Sequence, residues 1–305
     1  MKRREFVATL GAGLAGALVP LPRLRTERFV ERWSWAMGQA VHLMVYAESE
    51  DQGLEACALS LAGLRRVESR LSLFDDASDL CELNRRAGKR PLRVSDELGR
   101  TVSSAEAFRK ITDGAFNAAV EPLMRVWGFH RPRQMMPSPT ELAAARQSVE
   151  TATVLRDGRA IVLPNSHTRL DLGGIGVGVG IDVMRGALVS AGIRRAFIGV
   201  SGDCYGLGAP PHEAKGWTVE IAGSKHIVRL RDQALATSSN TRSVIELEQQ
   251  LLGHVMDPVL GSPVATRRQV TVVTHCAIEA DALSTASLVR GQAYAYRGAR
   301  TYFTE

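Results

Sequence analysis

A run of alternating glycines constrains the fold of this chain more than any other feature of its sequence. The run, Gly173–Gly180, follows Arg169–Leu172, which predicts a short strand, and precedes an apolar stretch that predicts a helix ending near Gly192. Glycines in such a turn let the backbone approach another group closely, and a helix N-terminus attracts anions. Neither the dinucleotide fingerprint nor the GxxxxGK(S/T) phosphate loop is present. The run therefore predicts a phosphate-binding turn, which we favour, or a tight turn with close packing of a helix on a sheet.

The other periodicities predict helices mainly in the first half of the chain and strands mainly in the second. Predicted helices cover residues 53–71, a short segment capped by Ser78, 96–111, 139–149 and 278–288, the last element expected. Predicted strands contain Val41, Leu43 and Val45 or cover 196–200, 217–222, 227–230 and 269–274, with a hairpin over 154–163 around Asp157-Gly158. Strands and helices do not alternate strictly, so the expected class is α+β.

The positive charge of the chain is concentrated at its N-terminus. Five Lys and Arg residues against Glu5 give residues 1–25 a charge of +4, and the formal net charge of +6 leaves +2 for the remainder. So small a charge predicts no nucleic-acid partner. Arg3-Arg4 precede a short, glycine-rich apolar run, Phe6–Val19, which resembles a Tat export signal and is too short to span a bilayer well.

We therefore expect residues 1–30 to be a signal peptide and linker, with the linker around Pro20–Arg32, and residues 31–305 to form the functional domain. The expected location is the periplasm, and the protein is not expected to be integral to the membrane. A frayed basic N-terminus on a cytosolic enzyme is the alternative. The four cysteines lack CxxC spacing, so buried free thiols are expected rather than a zinc site.

Two patterns outside the glycine run are candidates for chemistry. Asp281 and Thr285 are four residues apart on a predicted helix, so both would lie on one face as hard oxygen ligands of the kind magnesium accepts. A solvated pair on a helix is the alternative. His254, in a segment that closes with a turn at Gly261, is a candidate general base or a structural loop histidine. The Asp113–Phe129 segment predicts a turn followed by aromatic residues, for core packing or for ring stacking.

Together and in this order, the blocks resemble the FAD:protein FMN transferase family (the ApbE family). The resemblance runs from Met37-Gly38 to Gly291 and includes the blocks Glu68–Asn84, Asp113–Phe129, Leu170–Ile175, Asp182, Ser201–Asp203, Ala236–Ser238, His254–Gly261 and Ala280–Thr285. It implies an α+β fold of mixed or antiparallel sheets flanked by helices, in two fused lobes. It also implies magnesium-dependent transfer of the FMN half of FAD to a Thr or Ser of a partner protein, with release of AMP.

The resemblance also implies a set of site residues. Magnesium would be held by Asp281, Thr285 and the backbone carbonyl of Gly176. FAD, as substrate, would contact Met37, Phe74, Ala115, Phe116, Asn117, Gly173, Val179 and Val255. We assign His254 to accept the proton of the incoming hydroxyl, with Asp257 and Asp203 to orient it.

This sequence departs from the family pattern at several site positions. The family usually has Asp at Asn117, commonly a charged residue at Val177, often an aromatic residue at Val179, and Gly at Ser201 and Ser239. The losses near the glycine run predict weaker ring and charge contacts with FAD. They leave the implied metal ligands intact.

Two other functions fit the same residues. An FAD pyrophosphatase would use water as the acceptor and release FMN and AMP. A flavin-binding accessory protein would bind FAD without catalysis. If transfer is the function, the expected partner is an exported or membrane redox protein that carries the flavin-accepting Thr or Ser.

Overall fold

The computed structural model describes residues 27–241 and 244–305. Within them the helices are α1 (Glu50–Leu71), α2 (Asp79–Arg85), α3 (Asp96–Ile111), α4 (Glu121–Trp127), α5 (Pro139–Glu150), α6 (Gly173–Ser190) and α7 (Ala277–Arg290), with a 3-10 turn at Ala118–Val120 before α4. The strands are β1 (Arg28–Ala36), β2 (Gln39–Ala47), β3 (Leu92–Arg93), β4 (Leu155–Asp157), β5 (Ala160–Val162), β6 (Arg195–Val200), β7 (Asp203–Leu207), β8 (Trp217–Glu220), β9 (Ile227–Leu230), β10 (Gln233–Ser239), β11 (Val244–Leu247), β12 (Gln250–Gly253), β13 (Met256–Asp257), β14 (Ser262–Pro263), β15 (Gln269–Thr274) and β16 (Arg300–Thr304).

The largest sheet has seven strands in the order β1-β2-β6-β7-β10-β15-β16. Each neighbouring pair of strands runs antiparallel. In β2 the side chains of Val41, Leu43 and Val45 are buried and those between them are only half-buried, as expected for a strand with one face on the core. That face packs on α1 and α6. Part of the opposite face is covered by the β8–β9 hairpin, where Trp217 packs on Tyr46.

The glycine run is helical, and the predicted turn is wrong. Its residues form the first two turns of α6. A methyl group on Gly178 would come within 2.5 Å of the Ala277 carbonyl oxygen at the start of α7, and one on Gly180 within 2.5 Å of Leu64 Cδ1 in α1. Glycine is unfavourable inside a helix because of its conformational entropy. Close approach of α6 to its two neighbouring helices is therefore what requires glycine here.

The strand predicted at residues 169–172 is also absent. The backbone N–H and C=O of Leu170 are both bonded to the side chain of Asn84, at 2.8 and 2.9 Å, so this buried segment obtains its hydrogen bonds without a neighbouring strand. The apolar character that suggested a strand reflects burial of Leu170 and Leu172. Among the described helices, α6 is the one long and apolar enough to cross a membrane by length and composition. In this fold it packs between α1, α7 and the sheet.

A second lobe contains α2 to α5 and the three-stranded sheet β3-β5-β4. Leu80, Leu98 and Ile161 belong to its core, which continues into the first lobe through Leu283 of α7 and Val270 of β15. The predicted α+β class, with antiparallel sheets flanked by helices, is confirmed. The predicted helices and strands other than 169–172 are also found, with their ends shifted by a few residues.

In the seven-stranded sheet, the central strands β7 and β10 and the edge strands β1 and β16 were not predicted. β1 begins at Arg28, inside the expected linker, and most of its residues are exposed, so it lacks the alternation that identified β2. β16 follows α7, which was expected to be the last element. The export signal predicted from Arg3-Arg4 lies outside the described residues.

Candidate active site

Two carboxylates join α6 to α7 where these helices cross. Asp182 of α6 accepts hydrogen bonds from the backbone N–H groups of Ala277 (3.1 Å) and Ile278 (3.0 Å), and thereby caps the N-terminus of α7. In return, Oδ2 of Asp281 in α7 accepts the N–H of Gly178 in α6 at 2.9 Å. Burial raises the pKa of Asp281 to about 7, against the effect of this hydrogen bond. A nearby cation stabilises the charged form of a buried carboxylate with a raised pKa.

Three hydroxyl groups are joined by hydrogen bonds about one turn along α7 from Asp281. Ser238, near the end of β10, has its Oγ 2.8 Å from Ser284 Oγ and 3.2 Å from Thr285 Oγ1. Ser284 also donates to the backbone carbonyl of Asp281. The predicted pair Asp281 and Thr285 is therefore part of a larger polar cluster. The sequence reasoning missed Ser238 and Ser284 as site residues, although both lie within blocks that carried the family resemblance.

The start of α6 lies against the same cluster. A methyl group on Gly174 would come within 3.3 Å of both Thr285 Oγ1 and the ring of Phe116. A methyl group on Gly176, half a turn further, would meet no atom within 4 Å. Residues two apart lie about 200° apart around a helix, so the start of α6 packs on Thr285 with one side and leaves the opposite side open.

These donors fit the magnesium ion that the family resemblance implies. Among residues 27–241 and 244–305 no three His, Cys, Asp or Glu side chains are grouped as metal ligands. Magnesium needs no such group, since it is usually held by one or two carboxylates together with other oxygen ligands, water and substrate phosphates. Asp281 and Thr285 would supply the first two of these ligand types.

A chain of charged side chains lies at the first residue of α6. Asp171 Oδ1 accepts the N–H of Gly173 at 2.7 Å, and Oδ2 of the same carboxylate lies 3.2 Å from His130 Nε2. The other ring nitrogen of His130 lies 3.6 Å from Oε1 of Glu121, which is 2% exposed and also bonded by Arg125. None of the four charged side chains was predicted as a site residue. Their separation along the chain gives no local motif.

Phe74 stands at the mouth of a cleft beside this chain. It is 85% exposed, and its ring contacts His130 edge-on with centroids 6.0 Å apart. The cleft measures about 340 Å³, and its walls include Arg131 and Arg169. An exposed aromatic ring beside basic groups suits a planar, anionic ligand. Phe74 is therefore linked through His130 and Asp171 to the N-terminus of α6.

The three residues assigned to catalysis occupy loops and strand ends. His254 is exposed, between β12 and β13. Asp257 is buried, and its Oδ1 accepts the N–H groups of Val259 and Leu260, so it holds the following turn together. Asp203, at the start of β7, accepts the N–H of Thr237 at 2.9 Å. These hydrogen bonds give both carboxylates a structural role, and the orientation of His254 by either stays a prediction.

The other residues expected to contact FAD are distributed over several elements. Met37, in the β1–β2 turn with φ +54°, donates its N–H to Glu68 at 2.7 Å, and its side chain reaches Gly180. Val179 is partly buried with Met37 against the core. The remaining residues are buried or half-buried: Ala115, Phe116, Asn117, whose Oδ1 caps the 3-10 turn, and Val255.

Comparison with known protein families identifies the family of the chain. The sequence profile of the ApbE family matches residues 37–302. The chain belongs to the ApbE family. The FAD:protein FMN transferase of Vibrio cholerae is 28% identical over 240 residues, which are 75% of this chain and 71% of that protein. The protein of the same name from Salmonella typhimurium is 29% identical over 237 residues, 72% of this chain and 67% of its own length.

Solved structures agree on the fold. The apo form of the Pseudomonas stutzeri flavinyl transferase ApbE superposes with a TM-score of 0.78 at 24% identity, over 92% of this chain and 96% of that one. The ApbE protein of Thermotoga maritima gives 0.77 at 24% identity, over 87% of each chain. The predicted family is confirmed, and the predicted enzyme class agrees with the transferase names of these relatives.

Proposed function

We propose that this ApbE-family protein transfers the FMN moiety of FAD to a Thr or Ser hydroxyl of a partner protein and releases AMP. The observation that carries the proposal is the cluster of Asp281, Thr285 and Ser238 against the bare, glycine-rich start of α6. Helix N-termini favour phosphate groups, and glycine lets the phosphates approach the backbone. The family relationship supports FAD as the source of the phosphates.

In this reaction the oxygen of the acceptor hydroxyl forms a bond to the FMN phosphorus. The bond from that phosphorus to the bridging pyrophosphate oxygen breaks, and AMP leaves with the electron pair. We assign the proton of the acceptor to a ring nitrogen of His254, which is exposed and therefore accessible to a macromolecular acceptor. Positioning and charge neutralisation provide most of the catalysis in such transfers.

Asp281, Thr285 and the carbonyl of Gly176 are the groups that would hold magnesium. When bound, the ion supplies charge neutralisation for the pyrophosphate. The hydrogen bonds of Ser238 and of the Gly178 N–H keep Thr285 and Asp281 in place. This arrangement keeps the ligands ordered before the substrate enters.

The acceptor we propose is an exported or membrane redox protein. Its support is the Arg3-Arg4 pattern ahead of the apolar run, which is typical of a Tat signal and of a periplasmic destination. Tat export carries folded proteins, so FAD could be acquired in the cytoplasm.

The test is to incubate the purified protein with FAD, magnesium and a candidate acceptor domain. Flavin fluorescence on the acceptor in a denaturing gel, with one equivalent of AMP released, is the expected result. Release of free FMN without labelled acceptor would assign the protein to FAD hydrolysis. FAD that stays bound to the protein and is neither cleaved nor transferred would assign the protein to flavin binding alone.

A further inference from the structure

We propose that His130 is a positioning residue for nucleotide binding. It bridges Glu121 and Asp171 and aims Asp171 at the first amide of α6. It also neutralises the charge of Asp171 where the FAD phosphates enter. The inference deepens the proposed function and rests on it. Its basis is the side-chain cluster at the start of α6.

The geometry fixes both ends of the bridge. Nε2 of His130 lies 3.2 Å from Asp171 and Nδ1 lies 3.6 Å from Glu121, so each ring nitrogen faces a carboxylate. Only a doubly protonated imidazole donates toward both. The His130 side chain is 14% exposed and that of Glu121 is 2% exposed, so water screens the bridge little. Asp171 in turn accepts the Gly173 N–H.

The electrostatics keep His130 charged at neutral pH. Burial lowers the pKa of His130, but the ion pairs with Asp171 and Glu121 outweigh it and raise the pKa to about 9. Burial likewise opposes ionisation of Glu121, yet the nearby His130 and the hydrogen bond from Arg125 hold its pKa below the usual value. Other titratable or charged groups line the cleft that His130 faces: Asp76, Cys81, Arg85, Arg125, Arg131 and Arg169.

The position of Asp171 explains why this charge matters. Its carboxylate lies on the amide of Gly173, which is exposed at the helix end where a phosphate would be attracted. An uncompensated negative charge there would repel the pyrophosphate. When His130 is protonated, Asp171 can hold the first turn of α6 without repelling the pyrophosphate.

The raised pKa of His130 predicts how the affinity for nucleotides depends on pH. The pKa of His130 is raised above its ordinary value of 6.5, so its charge is present at pH 7 and is lost as pH rises through about 9. Nucleotide affinity should therefore fall across that range in the unaltered protein. ADP is the better probe because it has the pyrophosphate but not the flavin imide, which titrates at high pH.

The experiment is isothermal titration of ADP and of FAD, with magnesium, at pH 7.5 and pH 9.5. We expect His130→Gln to weaken both ligands about tenfold at pH 7.5 and to remove the pH dependence, and His130→Lys to restore affinity in part. Adding Asp171→Asn to His130→Gln should also recover affinity, because the uncompensated charge is then gone. Thermal unfolding without ligand checks that each variant is folded.

Wild-type affinity of His130→Gln at both pH values, or a double variant no tighter than the single one, would overturn the role of His130. If the unaltered protein still transfers FMN in that case, the proposed function stands without it. If the unaltered protein binds neither FAD nor ADP, both proposals fail.

Discussion

Replacing Gly178 by alanine is expected to separate α6 from α7 at their crossing point. The new methyl group would lie 2.5 Å from the Ala277 carbonyl oxygen and 2.7 Å from Ile278 Cα. These are backbone atoms, which cannot turn away as a flexible side chain could. Ordinary contact needs roughly 3.5 Å, so the helices must move apart by about 1 Å.

That displacement sets the size of the effect. The hydrogen bond from the Gly178 N–H to Asp281 would lengthen from 2.9 Å to about 4 Å, beyond hydrogen-bonding range. Overpacking costs about 2 kcal/mol and loss of the bond about 1 kcal/mol, while alanine regains about 1 kcal/mol of helix propensity. The free energy of unfolding should therefore fall by about 2 kcal/mol.

Urea unfolding followed by circular dichroism measures this change. Gly186→Ala is the matched control, since Gly186 is exposed in the same helix and a methyl group there meets no atom within 4 Å. The control should be stabilised by up to about 1 kcal/mol. If Gly178→Ala is as stable as Gly186→Ala, the close helix crossing is not what requires glycine, and the reasoning fails.

Two further changes test the frame of the site and its location. Asp182→Ala removes both hydrogen bonds that cap α7 and should lower the free energy of unfolding by about 2 kcal/mol. The control Asp51→Ala, at an exposed position in α1, should change the free energy of unfolding by less than about 0.5 kcal/mol. Equal effects of the two changes in urea unfolding would contradict the capping role. Arg3→Lys with Arg4→Lys should leave the protein in the cytoplasm with its signal uncut, and normal recovery of this double variant from the periplasm would exclude Tat export.

The sequence was sufficient for those parts of the site that lie within one element. Asp281 and Thr285 share a helix face because of their spacing alone, and α7 forms where its periodicity indicated. The conformation of the glycine run was not predictable in this way. Local preference disfavours a helix with so many glycines, and the close contacts at Gly178 and Gly180 are made by residues distant in the chain.

The polar contacts between elements were also not predictable from the sequence. Gly178 and Asp281 are 103 residues apart, and Ser238 and Ser284 are 46 apart. Neither pair forms a local pattern. The bridge from Glu121 through His130 to Asp171 joins α4, the loop after it and the segment before α6, and only tertiary packing brings the three together. The family resemblance located the blocks that contain most of these residues, but it did not predict their contacts.

The most direct test of the proposed site is quantification of AMP released from FAD in the presence of magnesium and an acceptor, for three proteins. The unaltered protein should release AMP in step with flavin fluorescence on the acceptor. Asp281→Asn, which keeps the shape of the side chain but removes its charge, should lose at least about a hundredfold in rate. Glu279→Gln, a change two residues earlier in the same helix where the carboxylate faces Tyr296 and Arg297, should release AMP as the unaltered protein does. Normal AMP release by a folded Asp281→Asn protein would contradict the assignment of the α6–α7 crossing as the active site.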